Sequence, residues 1–310
     1  MSSPTKNVRI AVLVPCFNEA MTVANVVRSF REFLPDASIF VYDNNSTDGT
    51  AQIARDAGAT VRTEKLQGKG NVVRRMFSDI EADIYVMVDG DDTYDASAVH
   101  RLTEELRSGP YDMVNAARVA ESSDAYRSGH AWGNKLLTGL VQRIFGTATT
   151  DMLSGYKAFS RRYVKTFPTM SRGFEIETEL VVHALDLRLP LSEISAPYKE
   201  RPVGSESKLR TYSDGFRILR LIGFLVKEER PLAFFSIVAG GLALLSLAIG
   251  SSVLIEFLET GLVPRLPTAV LATGTMLSAL LSLSCGFILD TVTRGRREMK
   301  RLAYLQFAAP

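Results

Sequence analysis

Two long uncharged segments near the end of the sequence constrain the fold more than any other feature. Residues 232–255 and 266–289 contain no Asp, Glu, Lys or Arg. Because 23% of the 310 residues are charged, a window of about 24 residues should hold roughly five or six charges. As a helix, each segment would reach roughly 36 Å, enough to cross about 30 Å of hydrocarbon. We therefore predict two transmembrane helices within residues 231–290 rather than a pair of buried core helices.

The charges that flank these segments predict their orientation. Basic residues precede the first segment between Arg217 and Arg230 and follow the second between Arg294 and Arg301, whereas the connection carries Arg265 beside two glutamates. Cytoplasmic flanks carry the excess of Lys and Arg in membrane proteins. Both ends are therefore expected in the cytoplasm, with a basic tail over residues 291–310. The first 230 residues contain no apolar signal-peptide core, which predicts a cytoplasmic domain anchored to the inner membrane.

Further contacts are predicted just before the first span and within it. Residues 213–230 mix apolar side chains with Arg217, Arg220 and Lys227, a pattern typical of a helix lying on the bilayer surface. An amphipathic helix packed on the soluble domain is the alternative. Small residues in the first span permit close helix contact, either within the hairpin or between subunits of a homo-oligomer.

Composition excludes several classes of protein. With 46% apolar residues and a net charge of +2, the chain is neither disordered nor a globally basic nucleic-acid binder. The cysteines, Cys16 and Cys285, imply no disulfide framework. A dinucleotide oxidoreductase would need a G-x-G-x-x-G turn after the first strand, where this chain has VPCFN from Val14.

Residues 1–212 alternate between strand-like and helical patterns. Apolar strand-like runs begin at Val8, Ser38, Ala59, Asp83 and Asp112, and amphipathic stretches cover residues 20–33, 50–57, 70–80 and 96–107. This alternation predicts an α/β domain with a mainly parallel sheet. Ligands of such sheets bind at the carboxyl ends of the strands, so the residues that follow each strand are the candidate site.

Acidic residues follow three of these strands. They lie in PCFNE from Pro15, DNNSTDG from Asp43 and DGDDT from Asp89. Helix capping and turn formation explain part of this composition, but three acidic strand ends at one sheet edge exceed what turns require. Asp89 and Asp91 are separated by one residue and can converge on a hard divalent cation, Mg²⁺ or Mn²⁺.

Six motifs occur in a fixed order along the chain. They are VPCFNEA (14–20), DNNSTDGT (43–50), GKGN (68–71), DGDDTY (89–94), TDMLSGYKAFSRR (150–162) and SKL (207–209). Together they resemble the family 2 glycosyltransferases of GT-A fold, specifically the polyprenyl-phosphate glycosyltransferases similar to dolichyl-phosphate mannose synthase. The resemblance implies a membrane-bound, inverting hexosyltransferase that moves a sugar from a nucleotide sugar, with a UDP-sugar favoured over GDP-mannose, to polyprenyl phosphate. A family 2 enzyme that acts on another lipid or glycan is the alternative.

The resemblance also implies roles on the donor side. The nucleotide would be bound by Pro15, Asn18, Glu19, Asp43, Asn44, Lys69, Asn71, Asp89 and Gly90. Asp89 and Asp91 would hold Mg²⁺ or Mn²⁺ on the donor diphosphate, with Asp91 essential for catalysis. Mannose synthases commonly carry Gln two residues after the second Asp; here Thr93 stands at that position, which leaves Asp92 as an alternative third ligand.

Basic residues and one further aspartate mark the acceptor side. Arg118 and Arg127 match positions that hold the acceptor phosphate in the resembling family, and Lys157, Arg161 and Lys208 add positive charge suited to a phosphate. Asp151 matches a position proposed as base or orienting group. Because a phosphate nucleophile is already an anion, orientation is its first expected role. Of the alternating glutamates Glu175, Glu177 and Glu179, one is expected to face the site.

A polysaccharide synthase and a noncatalytic scaffold are the other readings. A processive synthase shares the nucleotide motifs but needs more spans and a QxxRW motif, and the only Trp of this chain, Trp132, follows Ala131. A membrane scaffold would have no use for the combination of Asp89, Asp91 and Asp151. Neither accounts for the motifs as well as a transferase.

Overall fold

The computed structural model describes residues 8–120, 139, 149–169, 171–173, 175–201, 220, 223–224 and 226–308. The chain divides into two compact units: residues 1–219 with 300–310, and residues 220–299. Arg127 and Lys208, and most of the predicted interfacial helix over 213–230, lie outside the described residues.

The first unit is an α/β structure. Its strands are β1 (Ile10–Cys16), β2 (Ser38–Asp43), β3 (Thr60–Thr63), β4 (Ile84–Met87), β5 (Met113–Ala120), β6 (Lys157–Ser160) and β7 (Leu191–Tyr198). Its described helices are α1 (Val23–Phe33), α2 (Thr50–Asp56), α3 (Lys69–Asp79), α4 (Val99–Ser108), α5 (Arg161–Thr166) and α6 (Ile176–Asp186), with a 3₁₀ turn over Ala96–Ala98. The alternation predicted from the sequence is therefore confirmed through β5.

The strands form one seven-stranded sheet in the order β3-β2-β1-β4-β6-β5-β7. Neighbouring strands are parallel except at β6, which runs antiparallel to both β4 and β5. The carboxyl ends of the other strands and the amino end of β6 therefore share one edge, which we call the site edge. Parallel strands place successive strand ends side by side, so the loops after β1, β2 and β4 meet there.

Amphipathic helices bury the two faces of this sheet. Helix α1 turns Val23, Val26, Val27 and Phe30 inward, a spacing that places four side chains on one helical face. The central strand β4 is buried along its whole length, as a strand covered on both faces must be. Each fully buried Val, Leu or Phe contributes about 1.5–3 kcal/mol to stability.

Strands β6 and β7 have no counterpart in the sequence prediction. The four residues of β6 are all buried, and the first of them is Lys157. A charged residue at this position masks the apolar pattern by which a central strand is recognised in a sequence. Strand β7, LSEISAPY, is mostly half-buried and carries Glu193. Polar residues inside strands obscure the hydrophobic pattern from which strands are recognised.

The second unit contains the long apolar helix α7 (Pro231–Thr260) and all but the last turns of a second one, α8 (Leu266–Leu305). Both are long and apolar enough to cross a membrane, and only 11% and 17% of their most apolar windows are buried. Core helices of soluble proteins are mostly buried, so this exposed apolar surface favours contact with lipid. Helix α8 continues past residue 290 because no proline interrupts residues 290–305.

Small residues bring the two helices together. Their buried positions recur every seven residues: Ala239, Ser246 and Val253 on α7, and Ala272, Ala279, Gly286 and Thr293 on α8. The Ser246 hydroxyl donates to the carbonyl of Ala272 at 2.7 Å. Close contact between small residues is the usual way in which apolar helices associate in lipid.

The last residues of the chain belong to the first unit. The Tyr304 hydroxyl donates to the fully buried carboxylate of Asp112 at 2.6 Å, and the guanidinium of Arg162 pairs with the same carboxylate and lies over the Tyr304 ring. A buried carboxylate requires such partners, so Asp112 ties the C-terminal segment to the base of β5.

Candidate functional site

The loops after β1 and β2 are joined by hydrogen bonds at the site edge. The backbone N–H of Asn18 donates to Ser46 Oγ at 2.9 Å, and Asn18 Oδ1 accepts from the N–H of Thr47 at 2.8 Å. The next N–H, of Glu19, donates to Thr50 Oγ1 at 2.9 Å. Asn18 has a φ of 53°, a conformation that Asn tolerates better than most residues. Asn18 therefore fixes the shape of this region.

Asp43, at the end of β2, carries an unsatisfied buried oxygen. Its side chain is 6% exposed, and Oδ2 accepts from the N–H of Ser46 at 3.2 Å. Oδ1 has no hydrogen-bond partner among the described residues. Burying a carboxylate oxygen without a donor is costly, so Oδ1 is suited to accept an N–H or O–H from a ligand.

Asn44 holds the loop that follows β3. Its amide donates to the carbonyls of Glu64 and Leu66 at 2.8 and 2.9 Å, and its Oδ1 accepts from the N–H of Gly68 at 2.7 Å. Asn71 continues the same arrangement by donating to the carbonyl of Gln67 at 3.0 Å. Both asparagines therefore hold the loop between β3 and α3 in place.

Lys69 lies between two carboxylates. Its ammonium pairs with Asp89 and, at 2.5 Å, with Glu177 Oε1, and its side chain is 9% exposed. Burial lowers the pKa of Lys69, but the two carboxylates outweigh it and raise the pKa above its ordinary value. Lys69 is therefore a fixed cation, and Glu177 is the member of the alternating glutamates that faces the site.

Asp91 is the most constrained carboxylate of the edge. It is 3% exposed; Oδ1 accepts from Thr93 Oγ1 at 2.6 Å, and Oδ2 lies 2.5 Å from Arg201 Nη2. Burial and the nearby charge of Asp89 raise the pKa of Asp91, while Arg201 lowers it. Arg201 is absent from the sequence assignment because no motif marks it. Thr93 supports Asp91 in this arrangement.

Asp92, the alternative third metal ligand, is engaged elsewhere. Its Oδ2 accepts from the Asn25 amide on α1 at 2.5 Å. Among the described residues, no group of three or more His, Cys, Asp or Glu side chains surrounds a metal position. Asp89 and Asp91 supply hard oxygen donors. Lys69 and Arg201, which pair with them, show that this position attracts positive charge. This donor set fits Mg²⁺ or Mn²⁺ that completes its coordination with phosphate and water.

Glycine permits close approach around these carboxylates. A Cβ at Gly155 would lie 2.1 Å from Asp89 Oδ2, and the Gly155 N–H donates to Tyr94 Oη at 2.7 Å. A Cβ at Gly90 would lie 2.6 Å from Cys16 Sγ. A Cβ at either position would force Asp89 or Cys16 to move, so the segment around Gly155 is packed directly against Asp89.

Arg118 and Asp151 form a two-pronged ion pair at the end of β5. Arg118 Nε and Nη2 donate to Asp151 Oδ2 and Oδ1 at 2.6 and 2.8 Å, and the guanidinium lies 5.4 Å from the Tyr198 ring centroid. Asp151 is 5% exposed. The structure thus brings together Arg118 and Asp151, two of the residues that the sequence analysis assigned to the acceptor side.

Glu193 of β7 organises the segment that carries Asp151. Its carboxylate accepts from the hydroxyls of Thr149 and Thr150, from the Thr150 N–H at 2.9 Å and from the Asn115 amide at 2.8 Å. These hydrogen bonds lower the pKa of Glu193 against the opposing effect of burial. Sequence reasoning missed Glu193, since a lone glutamate in an alternating strand gives no signal.

Lys157 lies at the site edge but beneath its surface. Its side chain is fully buried, and its ammonium donates to Asn115 Oδ1. Burial lowers the pKa of Lys157 to about 8. The expected direct phosphate contact therefore does not match this position, because the ammonium is covered by Asn115 and the segment of Asp151.

Arg161 lies at the opposite edge of the sheet. It begins α5 after β6, its N–H donates to the carbonyl of Asp83 at 3.2 Å, and its guanidinium pairs with Glu81 at 3.1 Å. Asp83 precedes β4, whereas Asp89 follows it. The antiparallel direction of β6 separates Arg161 from Lys157, so Arg161 does not join the acceptor side.

Comparison with known proteins shows the family to which this chain belongs. Residues 11–167 match the family model described as Glycosyl transferase family 2. The chain is 32% identical over 300 residues to Glycosyltransferase AglJ of Haloferax volcanii, covering 96% of this chain and 98% of that protein. It is 25% identical over 222 residues to the Dolichyl-phosphate hexose transferase of the same organism, covering 71% and 95%.

A solved structure supports the fold. Glucosyl-3-phosphoglycerate synthase of Mycobacterium tuberculosis, in complex with Mn²⁺, uridine diphosphate and glucosyl-3-phosphoglycerate, matches with a TM-score of 0.58 at 22% identity, covering 71% of this chain and 80% of that one. The first unit therefore has the GT-A-like mixed-sheet fold that the resemblance implied. With the family model matching over its strand-end motifs and AglJ along nearly its full length, the chain belongs to glycosyl transferase family 2.

Proposed function

We propose that this glycosyltransferase is a metal-dependent, membrane-bound enzyme that transfers a sugar from a nucleotide sugar to polyprenyl phosphate with inversion. The observation that carries the proposal is the arrangement of the site edge. An acidic pair, the partly exposed Asp89 and the buried Asp91, follows β4, and the guanidinium of Arg118 lies near the end of β5 on the same edge. The acidic pair suits a metal-bound diphosphate, and the guanidinium suits a phosphate acceptor.

The nucleobase is selected in this proposal by Asp43. Its Oδ1, which has no hydrogen-bond partner in the part of the chain that the structure describes, is an acceptor that suits the ring N–H of uracil or guanine. Adenine and cytosine place an acceptor nitrogen at the corresponding position, which would leave two acceptors facing each other. UDP is favoured over GDP, in keeping with the uridine diphosphate in the M. tuberculosis structure.

On the donor side, Asp89 and Asp91 would hold Mg²⁺ or Mn²⁺, which when bound neutralises charge on the departing diphosphate. Asn44 and Asn71 hold the loop between β3 and α3 in place. Lys69, kept charged by Asp89 and Glu177, adds a fixed positive charge beside the diphosphate position. Such preorganised charges lower the barrier because they need no rearrangement during the reaction.

On the acceptor side, Arg118 would bind the phosphate, and Asp151 would orient the guanidinium and the phosphate bound to it. The phosphate oxygen attacks the anomeric carbon from the face opposite the leaving diphosphate, which inverts the configuration. Since this oxygen is an anion at neutral pH, Asp151 does not need to remove a proton. Its two-pronged contact with Arg118 fixes the direction of the guanidinium. Arg127 and Lys208 stay proposed contacts.

The membrane part of the proposal rests on α7 and α8. Their exposed apolar surfaces and the basic residues at both ends of the pair support two spans, with residues 1–212 and the C-terminus in the cytoplasm. Residues 213–230 would lie on the bilayer surface. In this proposal the donor is water-soluble and the acceptor is a lipid held in the bilayer.

Purified full-length protein in detergent tests the proposal. It is incubated with Mn²⁺ or Mg²⁺, undecaprenyl phosphate and a panel of radiolabelled UDP- and GDP-sugars, and organic extraction separates the lipid product. We expect metal-dependent label in the lipid fraction with a UDP-sugar. Transfer without metal, or transfer to a lipid or glycan that lacks a phosphate, would contradict the proposal; the second result would favour the alternative acceptor class.

A further inference from the structure

The two carboxylates of the acidic pair already have positive partners from the chain. Lys69 pairs with Asp89, and Arg201 Nη2 lies 2.5 Å from Asp91 Oδ2. One ammonium and one guanidinium together carry the formal charge of a single divalent ion. They offset the repulsion between neighbouring carboxylates, which is strong where Asp91 is only 3% exposed.

Arg201 contacts the oxygen of Asp91 that would coordinate a metal ion. Asp91 Oδ1 accepts two hydrogen bonds from Thr93, from its hydroxyl at 2.6 Å and from its N–H at 3.2 Å. Oδ2 is the oxygen that Arg201 contacts. A divalent ion that binds Asp91 must therefore compete with Arg201 for Oδ2.

The two cations differ in how firmly they are held. The Lys69 side chain is 9% exposed and is shared with Glu177, so it keeps a buried partner when Asp89 turns to another cation. The Arg201 side chain is 27% exposed and follows the last strand, β7. A partly exposed guanidinium returns to water at lower cost than a buried ammonium. Arg201 is therefore the cation that leaves.

We propose that Arg201 is a stand-in cation, which occupies Asp91 Oδ2 in the metal-free protein and is displaced when the divalent ion binds, while Lys69 stays. The inference rests on the proposed function because it takes Asp89 and Asp91 as the metal carboxylates. The exchange breaks the Arg201–Asp91 ion pair and forms a metal–carboxylate contact. Arg201 thus weakens the binding of metal alone.

Mn²⁺ titration of purified full-length protein without nucleotide tests the exchange, with free Mn²⁺ measured by electron paramagnetic resonance. Arg201→Gln should bind Mn²⁺ about tenfold more tightly than wild type, the equivalent of about 1.4 kcal/mol. The matched control is Lys199→Gln, which removes an exposed charge two residues earlier. Because exposed charges are screened, its affinity should stay within about twofold. Equal affinity of wild type and Arg201→Gln, or an equal gain in Lys199→Gln, would overturn the inference.

Asp91→Asn, alone and combined with Arg201→Gln, shows where the ion binds. The gain caused by Arg201→Gln should disappear when Asp91 is replaced, and a gain that persists would overturn the stand-in role. The titration needs no sugar transfer, so the two proposals fail separately. Protein that binds Mn²⁺ through Asp91 more tightly after Arg201→Gln, yet transfers no sugar, would contradict the proposed function and support the stand-in. Protein that binds no Mn²⁺ in any variant would overturn the stand-in role.

Discussion

The two halves of the sheet contribute to the site edge in different ways. In the parallel half, β3-β2-β1-β4, functional groups lie on loops after the strands, and some of their capacity is kept for ligands, as with Asp43 Oδ1. In the mixed half, β6-β5-β7, they lie within strands and satisfy one another, as Glu193, Asn115 and Lys157 do. In this comparison the loops of the parallel half are suited to the donor, and the hydrogen-bonded residues of the mixed half hold the Arg118–Asp151 pair in place.

The difference follows from the direction of β6. An antiparallel strand brings its amino end to the site edge, so Lys157 enters between β4 and β5 where a parallel strand would have ended. A buried ammonium requires partners, and Lys157 finds them in Asn115 Oδ1 and the carbonyl of Met152. The comparison predicts that substitutions in the parallel half abolish chemistry with little loss of stability, while those in the mixed half reduce both.

The largest effect is expected from Asp91→Ala in the parallel half. Loss of the metal carboxylate should lower transfer at least about a hundredfold to a thousandfold, measured as label in the lipid fraction. The melting temperature should change little, because relief of the repulsion between Asp91 and Asp89 offsets the loss of the contacts with Thr93 and Arg201. Asp92→Ala is the control: Asp92 binds Asn25 on α1, and its loss should leave transfer within about tenfold. Full turnover by Asp91→Ala would remove the metal from the mechanism.

A second test lies where the halves meet. Gly155→Ala places a Cβ 2.1 Å from Asp89 Oδ2, so Asp89 must move or the segment of Asp151 must shift. Misplacement of about 1 Å costs roughly a hundredfold in rate. Gly240→Ala on α7, where a Cβ meets nothing within 4 Å, controls for the change of residue type. Transfer by Gly155→Ala at the wild-type rate would show that the two halves are not packed this closely.

Glu193→Gln tests the mixed half. Gln keeps only one oxygen, so the donors of Asn115 and Thr150 cannot all keep their acceptor, and we expect a loss of about 1–3 kcal/mol in the free energy of unfolding. Activity should fall about tenfold through a higher KM for polyprenyl phosphate. Glu105→Gln is the control, because Glu105 accepts a single hydroxyl from Ser192 at 2.8 Å. Unchanged stability and KM in Glu193→Gln would show that the Asp151 segment is held by other contacts.

The same difference explains how far the sequence predicts the site. Motifs after β1, β2 and β4 placed Asn18, Asp43 and Asp89 at one edge, because parallel strand ends follow from the alternating pattern alone. Glu193 and Arg201 lie on or after β7, whose pairing partner β5 is distant in sequence. Their roles depend on long-range pairing, which local patterns do not encode.

Acid should destabilise the first unit through His183 on α6. This side chain packs against Tyr163 and Phe167, and burial lowers its pKa from 6.5 to about 3. Below pH 6.5, His183 binds a proton in the unfolded chain but stays neutral in the folded chain. The free energy of unfolding therefore falls as the pH decreases towards 3. The loss is about 1.4 kcal/mol per pH unit. His183→Leu should remove that part of the slope in thermal unfolding between pH 7.5 and 5.5; parallel slopes for both proteins would contradict it.

The smallest effect is expected at Arg161, which a sequence-based view would group with Arg118. Arg161 and its partner Glu81 are 41% and 53% exposed, and exposed ion pairs contribute about 0–1 kcal/mol. Arg161→Gln should therefore leave the KM for polyprenyl phosphate within about twofold. Arg118→Gln removes a guanidinium that is 17% exposed and doubly bonded to Asp151, and it should raise that KM at least about tenfold. Equal impairment by both substitutions would place the acceptor phosphate away from the site edge, because no single phosphate reaches both ends of β6.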